Sequence, residues 1–230
     1  MELVSTGVDG LDEMLGGGLP KGHVVTVLGS FGTGKSTLGL MFLLQGLLNN
    51  EKGIFITLEE EPESLNANAA SFGWDLSPYV KDRKLALIKL EPADAKSTIT
   101  KVKGELPEFI KKFGAQRIVI DSVSLLGMMF PDDVERRARL FSLCNQIRKT
   151  DATCLFTAET KDDNPYASRD GIVEYVSDGV ISLRFIYGES RSVQLVTQII
   201  KMRRHKHSRD PKPYNITDKG IEVHSEVEVF

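Results

Sequence analysis

The sequence has little of several features, and each shortage excludes a class of protein. Its 230 residues include two cysteines, Cys144 and Cys154, which are too few for a disulfide framework or a cysteine-based metal site. No apolar run approaches the roughly 20 residues that a membrane-spanning helix needs. The first residues carry acids and have no continuous apolar core, unlike a signal peptide. We therefore expect a reduced cytoplasmic protein that does not enter a membrane.

A general excess of positive charge is also missing. The formal net charge is -3 at pH 7, which argues against a surface built wholly for nucleic acid. One stretch departs from this balance, since six of the seven residues in KMRRHKH, Lys201–His207, are basic or can become so. Such a cluster, here called the basic segment, is typical of nucleic-acid or other phosphate binding. The alternative is a solvated surface run without a ligand.

Short β-branched runs alternate with longer helix-patterned stretches, which predicts one α/β domain over residues 1–230 with helices covering a mostly parallel sheet. The predicted strands are Val24–Leu28, Ile54–Leu58, Leu85–Leu90, Arg117–Asp121, Thr153–Ala158 and Val180–Phe185. The predicted helices are Lys35–Asn49, Pro62–Phe72, Ala95–Phe113 and Asp132–Lys149. Further strands without intervening helices, which predict a C-terminal antiparallel extension, are Ser192–Met202, Tyr214–Thr217 and Gly220–Val223.

The last predicted helix also carries a core prediction. Apolar residues recur at helical spacing along it, so one of its faces should pack on the sheet. The residues predicted to lie on that face are Val134, Ala138, Phe141, Cys144, Ile147 and Arg148.

A phosphate-binding loop is predicted at residues 29–36. The stretch GSFGTGKS matches G-x-x-x-x-G-K-[ST] and lies between a predicted strand and a predicted helix. Glycines allow consecutive N–H groups to face phosphate oxygens, and the helix N-terminus adds partial positive charge. Lys35 should reach the β- and γ-phosphates, and the Ser36 hydroxyl should bind Mg²⁺.

Acidic residues follow two of the predicted strands. Asp121 ends the apolar run RIVID, the form expected of a residue that holds Mg²⁺ beside a P-loop. Glu59, Glu60 and Glu61 follow the strand after the P-loop helix, where α/β sheets bind ligands. We expect Glu59 to activate the attacking water and Glu60 to share or tune the charge. Glu61, directly before a proline, fits the start of a helix.

The chain resembles a known family at many positions. Residues 6–22, TGVDGLDEMLGGGLPKG, resemble the opening of RecA-superfamily ATPases and, within them, of the KaiC-like class. Further stretches that carry the resemblance are TLEE at 57–60, SFGWD at 71–75, IDSVS at 120–124, VSD at 176–178, KMR at 201–203 and ITDKG at 216–220. The similarity therefore extends over nearly the whole chain.

The resemblance implies a RecA-type fold, ATP with Mg²⁺, and a ring of six subunits with ATP between neighbours. It assigns phosphate and metal contacts to Gly32, Thr33, Gly34, Lys35, Ser36 and Thr37. It makes Glu59 and Glu60 a catalytic pair and puts Ser71 and Phe72 near the adenine. The residues that match a segment touching the ATP of the adjacent subunit are Lys201, Met202, Arg203, His207, Thr217 and Asp218. In this interpretation the basic segment is a phosphate clamp acting in trans, with Lys201 and Arg203 as its catalytic cations.

The chain also departs from the family pattern. The clock protein of the family has two such domains, and its phosphorylated Ser-Thr pair has no counterpart here, so autokinase activity is not expected. Arg204 and His205 stand where the family often has Gly and Thr or Ser, which leaves the roles of these two residues open.

Three functions remain open from the sequence. The first is a regulatory ATPase of the KaiC-like class with an unidentified protein partner. The second is a RecA/RadA-type paralogue that binds single-stranded DNA through the loops at 122–133 and 160–171. Lys161, Tyr166 and Arg169 form only a thin version of a basic and aromatic surface there, so nucleic-acid binding is expected to be weak. The third is an ATP-binding module with negligible hydrolysis.

Overall fold

The computed structural model describes residues 1–90, 105–130, 132–161, 164–187 and 193–229. Its strands are β1 (Leu3–Val4), β2 (Leu19–Pro20), β3 (Val24–Gly29), β4 (Gly53–Thr57), β5 (Leu85–Lys89), β6 (Arg117–Asp121), β7 (Thr153–Lys161), β8 (Asn164–Ser168), β9 (Gly179–Tyr187), β10 (Val193–Met202), β11 (Lys212–Thr217) and β12 (Gly220–Val223). Its helices are α1 (Asp9–Met14), α2 (Lys35–Leu48), α3 (Pro62–Ser71), α4 (Ser77–Lys81), α5 (Leu106–Phe113), α6 (Val123–Met128), α7 (Asp133–Arg148) and α8 (Val173–Val176).

One large sheet organises the chain, in the order β12-β11-β10-β9-β3-β7-β6-β4-β5, with β8 paired to β7. The strands from β9 to β5 run parallel to their neighbours. The last three strands pair antiparallel and extend the sheet beyond β9. This arrangement confirms the predicted RecA-type fold with a C-terminal antiparallel extension.

The central strands are buried on both faces, which explains their nearly continuous apolar sequences. Every residue of β3 and β4 is buried. One apolar layer packs α1, α2 and α3 against one face of the sheet, and a second packs α5, α6 and α7 against the other. The predicted strand and helix boundaries agree with the observed elements to within about three residues. For the predicted helix Ala95–Phe113, residues 95–104 lie outside the described ranges, and α5 confirms the remainder.

The predicted core face of α7 is partly wrong. Val134 and Phe141 have exposed fractions of 77% and 53%, and Ala138 is exposed as well. The buried positions are Leu140, Leu143, Cys144 and Ile147, and no residue of the helix before Leu140 is buried. Their spacing of three, one and three residues gives a narrow stripe, and Phe141 lies about 100° away from Leu140 around the axis.

Within the described ranges, no helix is both long enough and apolar enough to cross a bilayer.

The register of the sheet brings the predicted site residues to one edge. Gly29 lies opposite Glu159, and Thr57 lies opposite Asp121, so four parallel strands end together. At the other edge, Gly179 pairs with Val25 on one side and with the last residue of β10 on the other. The side of the sheet at the carboxyl ends of its parallel strands is called the P-loop edge below. The opposite side, at their amino ends, is called the distal edge.

Candidate nucleotide site

The P-loop joins β3 to α2 and depends on glycine at two close approaches. A Cβ atom on Gly29 would lie 2.4 Å from Thr33 Oγ1 and 2.8 Å from the Leu183 carbonyl oxygen. Gly34, with φ of +84°, would place a Cβ 2.9 Å from Ile216 Cδ1. Larger residues would therefore displace the loop from the sheet. Gly32 also has a positive φ, and Thr37 is nearly buried in the first turn of α2.

Lys35 reaches back across the loop that it follows. Its Nζ donates a 2.9 Å hydrogen bond to the Ser30 carbonyl oxygen. Burial lowers the pKa of Lys35, and the carboxylates of Asp121, Glu159 and Glu59 oppose that shift. The ammonium therefore lies in the loop interior, where a phosphate chain would replace the carbonyl as its partner.

Ser36 and Asp121 meet although 85 residues separate them in the sequence. Ser36 Oγ donates a 2.6 Å hydrogen bond to Asp121 Oδ2, and the Thr157 hydroxyl donates to the other carboxylate oxygen. Oxygen ligands of this kind suit Mg²⁺, which is usually held by one or two protein groups together with water and phosphate oxygens. Among the described residues, no group of three His, Cys, Asp or Glu side chains is placed to hold a metal by itself. The residues present therefore fit a magnesium ion that shares its ligands with a nucleotide.

The two predicted catalytic glutamates have different surroundings. The Thr57 hydroxyl accepts hydrogen bonds from the backbone N–H groups of both Glu59 and Glu60. The Glu59 carboxylate accepts a 3.3 Å hydrogen bond from Ser122 Oγ, beside Asp121. The Glu60 carboxylate instead accepts a 2.9 Å bond from Ser64 Oγ in α3. Only Glu59 is therefore held toward the P-loop edge by its side chain.

The electrostatics of the site also single out Glu59. Partial burial raises the pKa of Glu59, and the like charge of Asp121 raises it further, while the Ser122 hydrogen bond opposes the shift. A carboxylate with a raised pKa is a stronger base toward water. Glu61 lies at the N-cap of α3, as predicted, and its carboxylate pairs with Lys89.

Sequence reasoning missed Glu159. This residue lies opposite Gly29 in β7, and its charge acts on both Lys35 and Glu59. Its N–H donates a 2.9 Å hydrogen bond to Ser124 Oγ. A signal was present, because an acid follows a buried strand here as it does at Asp121. The predicted strand ended at Ala158, directly before Glu159, whereas β7 continues to Lys161.

The predicted adenine contacts lie at the end of α3. Phe72 stacks on Trp74 with ring centroids 4.7 Å apart, and Ser71 Oγ donates to the Asn68 carbonyl oxygen at 2.7 Å. The β11–β12 turn covers the same rings, because a Cβ on Gly220 would lie 2.9 Å from the Trp74 ring. This turn carries Thr217 and Asp218 and follows Ile216, which packs on the P-loop.

The six residues that match the family's trans segment therefore do not lie together. Thr217 and Asp218 follow Ile216, whose side chain packs on the P-loop of the same chain. Lys201 and Arg203 lie at the distal edge, because β10 runs antiparallel to β9 and ends opposite Gly179. The four residue steps from Val25 to Gly29 separate these levels by about 13 Å along the sheet. This geometry rules out a clamp on the P-loop of the same chain.

Contacts within the chain hold most of the basic segment in place. Lys201 Nζ donates to two carbonyl oxygens at the end of α8, at 2.8 and 2.7 Å. Arg203 Nη2 donates to the Tyr175 carbonyl oxygen at 3.0 Å. Met202 is buried, with an exposed fraction of 5%, so its side chain is not available to a ligand. His207 Nδ1 contacts the His205 carbonyl oxygen, whereas its buried Nε2 has no partner among the described residues.

The side chains named for DNA binding are largely engaged within the chain. The guanidinium of Arg184 lies 4.7 Å from the centre of the Tyr166 ring. Arg169 forms an ion pair with Glu159 at 3.2 Å. Lys161 is exposed at the end of β7. Binding of single-stranded DNA through Tyr166 and Arg169 would have to break the contact with Arg184 and the ion pair with Glu159.

The sequence of this chain is similar to those of known ATPases, in agreement with the P-loop geometry described above. The family model described as "ATPase: KaiC" matches residues 4–228. The circadian clock oscillator protein KaiC of Parathermosynechococcus lividus is 34% identical over 227 residues, which cover 95% of this chain and 41% of that protein. The protein of the same name from Synechococcus elongatus is 34% identical over 230 residues, covering 95% and 43%. The circadian clock protein KaiC3 of Synechocystis sp. is 29% identical over 233 residues, covering 97% and 46%. The chain spans less than half the length of these relatives.

Proposed function

We propose that this chain, which belongs to the KaiC family of ATPases, binds ATP with Mg²⁺ at its P-loop edge. The ATP is then hydrolysed at an interface between two copies of the chain. The observation that carries the proposal is the Ser36–Asp121 contact at 2.6 Å, with Lys35 and Glu59 beside it. These groups supply a phosphate cation, metal ligands and a base at the carboxyl ends of adjacent strands, where ligands bind in such sheets.

Each residue then has a defined task. The backbone of the P-loop and Lys35 bind the β- and γ-phosphates, and Ser36 and Asp121 hold the metal ion, directly or through water. The ion, when bound, neutralises charge that develops on the phosphate oxygens. Glu59 accepts the proton of the attacking water. Ser71 and Phe72, together with the turn that carries Thr217 and Asp218, enclose the base of the nucleotide.

A single copy lacks one part of this site. The P-loop is at one edge of the sheet, and Lys201 and Arg203 are at the other. Head-to-tail packing would bring the distal edge of one copy against the P-loop edge of the next, and repeating such a contact closes a ring when the rotation allows it. We propose a homo-oligomeric ring, with six members as the resemblance implies.

The ring would act as a regulatory ATPase on an unidentified protein partner. The proposed unit is one KaiC-like domain over residues 1–230, and the proposed compartment is the cytoplasm. Hydrolysis in trans supports this role, because every turnover then changes a contact between subunits, where a partner can detect it.

A subunit-mixing experiment tests the proposal. Rings of Lys35→Ala alone and of Arg203→Ala alone should both be nearly inactive. A mixture should regain ATPase activity after subunits have exchanged, since some interfaces join an intact P-loop to an intact clamp. Exchange is followed independently with differently labelled subunits. A mixture that stays inactive after proven exchange would contradict catalysis in trans.

A further inference from the structure

Two cations of the basic segment have no partner in the described part of the chain. The other four polar side chains of the segment each contact a backbone carbonyl oxygen, and Met202 is buried. Arg204 and Lys206 are exposed, and neither has a hydrogen bond or an ion pair with any described residue. The trans contact of the segment therefore need not be limited to Lys201 and Arg203.

Arg204 differs from Lys206 in its backbone. Its φ is +57°, in the left-handed region, where a residue with a Cβ costs roughly 1–2 kcal/mol. Glycine adopts this conformation at no such cost, and the resembling family often has glycine here. A strained non-glycine residue that persists is a reason to look for a function of its side chain.

The turn that carries Arg204 is anchored on both sides. Arg203 N donates to the Asp178 carbonyl oxygen at 2.8 Å, and the His205 ring contacts the Leu15 carbonyl oxygen at 2.6 Å. These partners belong to separate parts of the chain. The backbone therefore presents the guanidinium of Arg204 from a fixed position at the end of β10, although the side chain itself is exposed.

The chemistry of this guanidinium suits phosphate. All five of its N–H donors are available, whereas the Lys201 ammonium already donates to two carbonyl oxygens. A planar fork of donors binds two phosphate oxygens at once. Arg204 lies at the distal edge, about 13 Å along the strands from the start of its own P-loop. A nucleotide in the same chain is therefore out of its reach.

We propose that Arg204 binds phosphate oxygens of the nucleotide held by the P-loop of an adjacent copy, as a second guanidinium beside Arg203. This inference rests on the proposed interface site. It adds a residue that the resemblance does not assign, and it explains why an arginine occupies a left-handed position. The alternatives are an exposed charge without a ligand, a contact that only assembles the ring, and a nucleic-acid contact.

Arg204→Gly is a suitable test variant because it removes the guanidinium and relieves the backbone at the same time. The thermal unfolding midpoint should stay the same or rise, so lost activity cannot reflect a damaged fold. With Mg²⁺–ATP as the substrate, we expect kcat to fall about 10- to 100-fold, the range for a lost hydrogen bond to a charged group. The kcat of Arg204→Lys should lie between those of the parent and Arg204→Gly, because lysine keeps the positive charge and lacks the planar pair of donors.

Lys206→Ala is the matched control, since it removes an exposed cation of the same segment. Its kcat should stay within about twofold of the parent. Mixing Arg204→Gly with Lys35→Ala should restore activity, as expected for a residue that acts in trans. Sedimentation should show that Arg204→Gly rings are intact at the assay concentration.

The outcomes separate this inference from the proposed function. If Arg203→Ala is inactive and Arg204→Gly is as active as the parent, the role of Arg204 is wrong and the interface site stands. If both variants are fully active, the interface site itself is wrong. Loss of activity only through dissociated rings, or an inactive mixture after proven exchange, would also overturn the phosphate contact. An Arg204→Gly variant with unchanged ATPase activity and weaker binding of a single-stranded oligonucleotide would overturn it as well.

Discussion

The Ser36 hydroxyl donates to the Asp121 carboxylate across 2.6 Å, which joins the end of the P-loop to the end of β6. The hydroxyl and carboxylate oxygens of these two residues would hold a magnesium ion, directly or through water, and the ion would neutralise charge on the phosphate oxygens. The start of α2 and the end of β6, which this hydrogen bond already joins, would therefore hold the ion together.

This contact predicts how Asp121→Asn should behave. The amide keeps the shape of the side chain and removes its negative charge, so ATP affinity with Mg²⁺ should fall about 10- to 100-fold. In EDTA the variant and the parent should bind ATP equally, because the P-loop contacts are unchanged. Isothermal titration under both conditions checks this result. Equal losses with and without Mg²⁺ would show that Asp121 supports the loop and does not hold the metal.

The two glutamates after β4 should differ on substitution. Glu59→Gln should bind ATP normally and hydrolyse it at least on the order of 10² more slowly, because it loses the base and keeps the phosphate contacts. Glu60→Gln should lose less than about tenfold, since the Glu60 carboxylate is directed to Ser64. Single-turnover hydrolysis and nucleotide binding, measured together, separate the two steps. A Glu60→Gln variant with the larger loss would reverse the assignment.

The pH dependence of hydrolysis should report the Glu59 environment. A base works only when ionised, so activity should fall as the pH drops through the pKa of Glu59. Burial and Asp121 raise that pKa above its ordinary value, which moves the fall to higher pH. Glu159→Gln removes a further like charge, so its acid limb should lie at lower pH than that of the parent. A pH profile of kcat/KM with no displacement in Glu159→Gln would exclude this coupling.

A buried ion pair far from the nucleotide should contribute to stability alone. Arg117 has an exposed fraction of 1%, and its Nε donates to Glu51 at 2.6 Å while Nη1 donates to two carbonyl oxygens. Glu51→Ala leaves this guanidinium buried without a carboxylate and should cost about 3 kcal/mol. For a chain of this size the unfolding midpoint would fall by roughly 6–12 °C.

The exposed pair of Glu2 and Lys21 is the control for that measurement. Its side chains are 67% and 46% exposed, so Glu2→Ala should change stability by less than about 0.5 kcal/mol. Similar shifts for Glu51→Ala and Glu2→Ala would show that burial does not strengthen the Arg117 pair.

The chemistry of the P-loop and the class of the fold can be predicted from the order of the residues alone. These features are local: the glycines, Lys35 and Ser36 lie within one eight-residue stretch, and the apolar strands show burial on both faces through their composition. The positions of Glu59 and Asp121 follow the same logic, since each acid comes at or directly after the end of such a strand. Patterns of this kind require no knowledge of which strands are neighbours.

Which distant residues share a site depends instead on the order and direction of the strands. Strand order placed Glu159 beside Lys35, because β7 is the neighbour of β3 although more than a hundred residues lie between them. The antiparallel pairing of β10 with β11 sent Lys201 and Arg203 to one edge and Thr217 and Asp218 to the other, although the sequence resemblance groups them. The start of α7, which has no buried residue before Leu140, is a further case, because helical spacing predicts a face without showing which part of the helix packs on the sheet. Strand pairing and register depend on contacts between distant segments, and a local sequence pattern does not show which segments make those contacts.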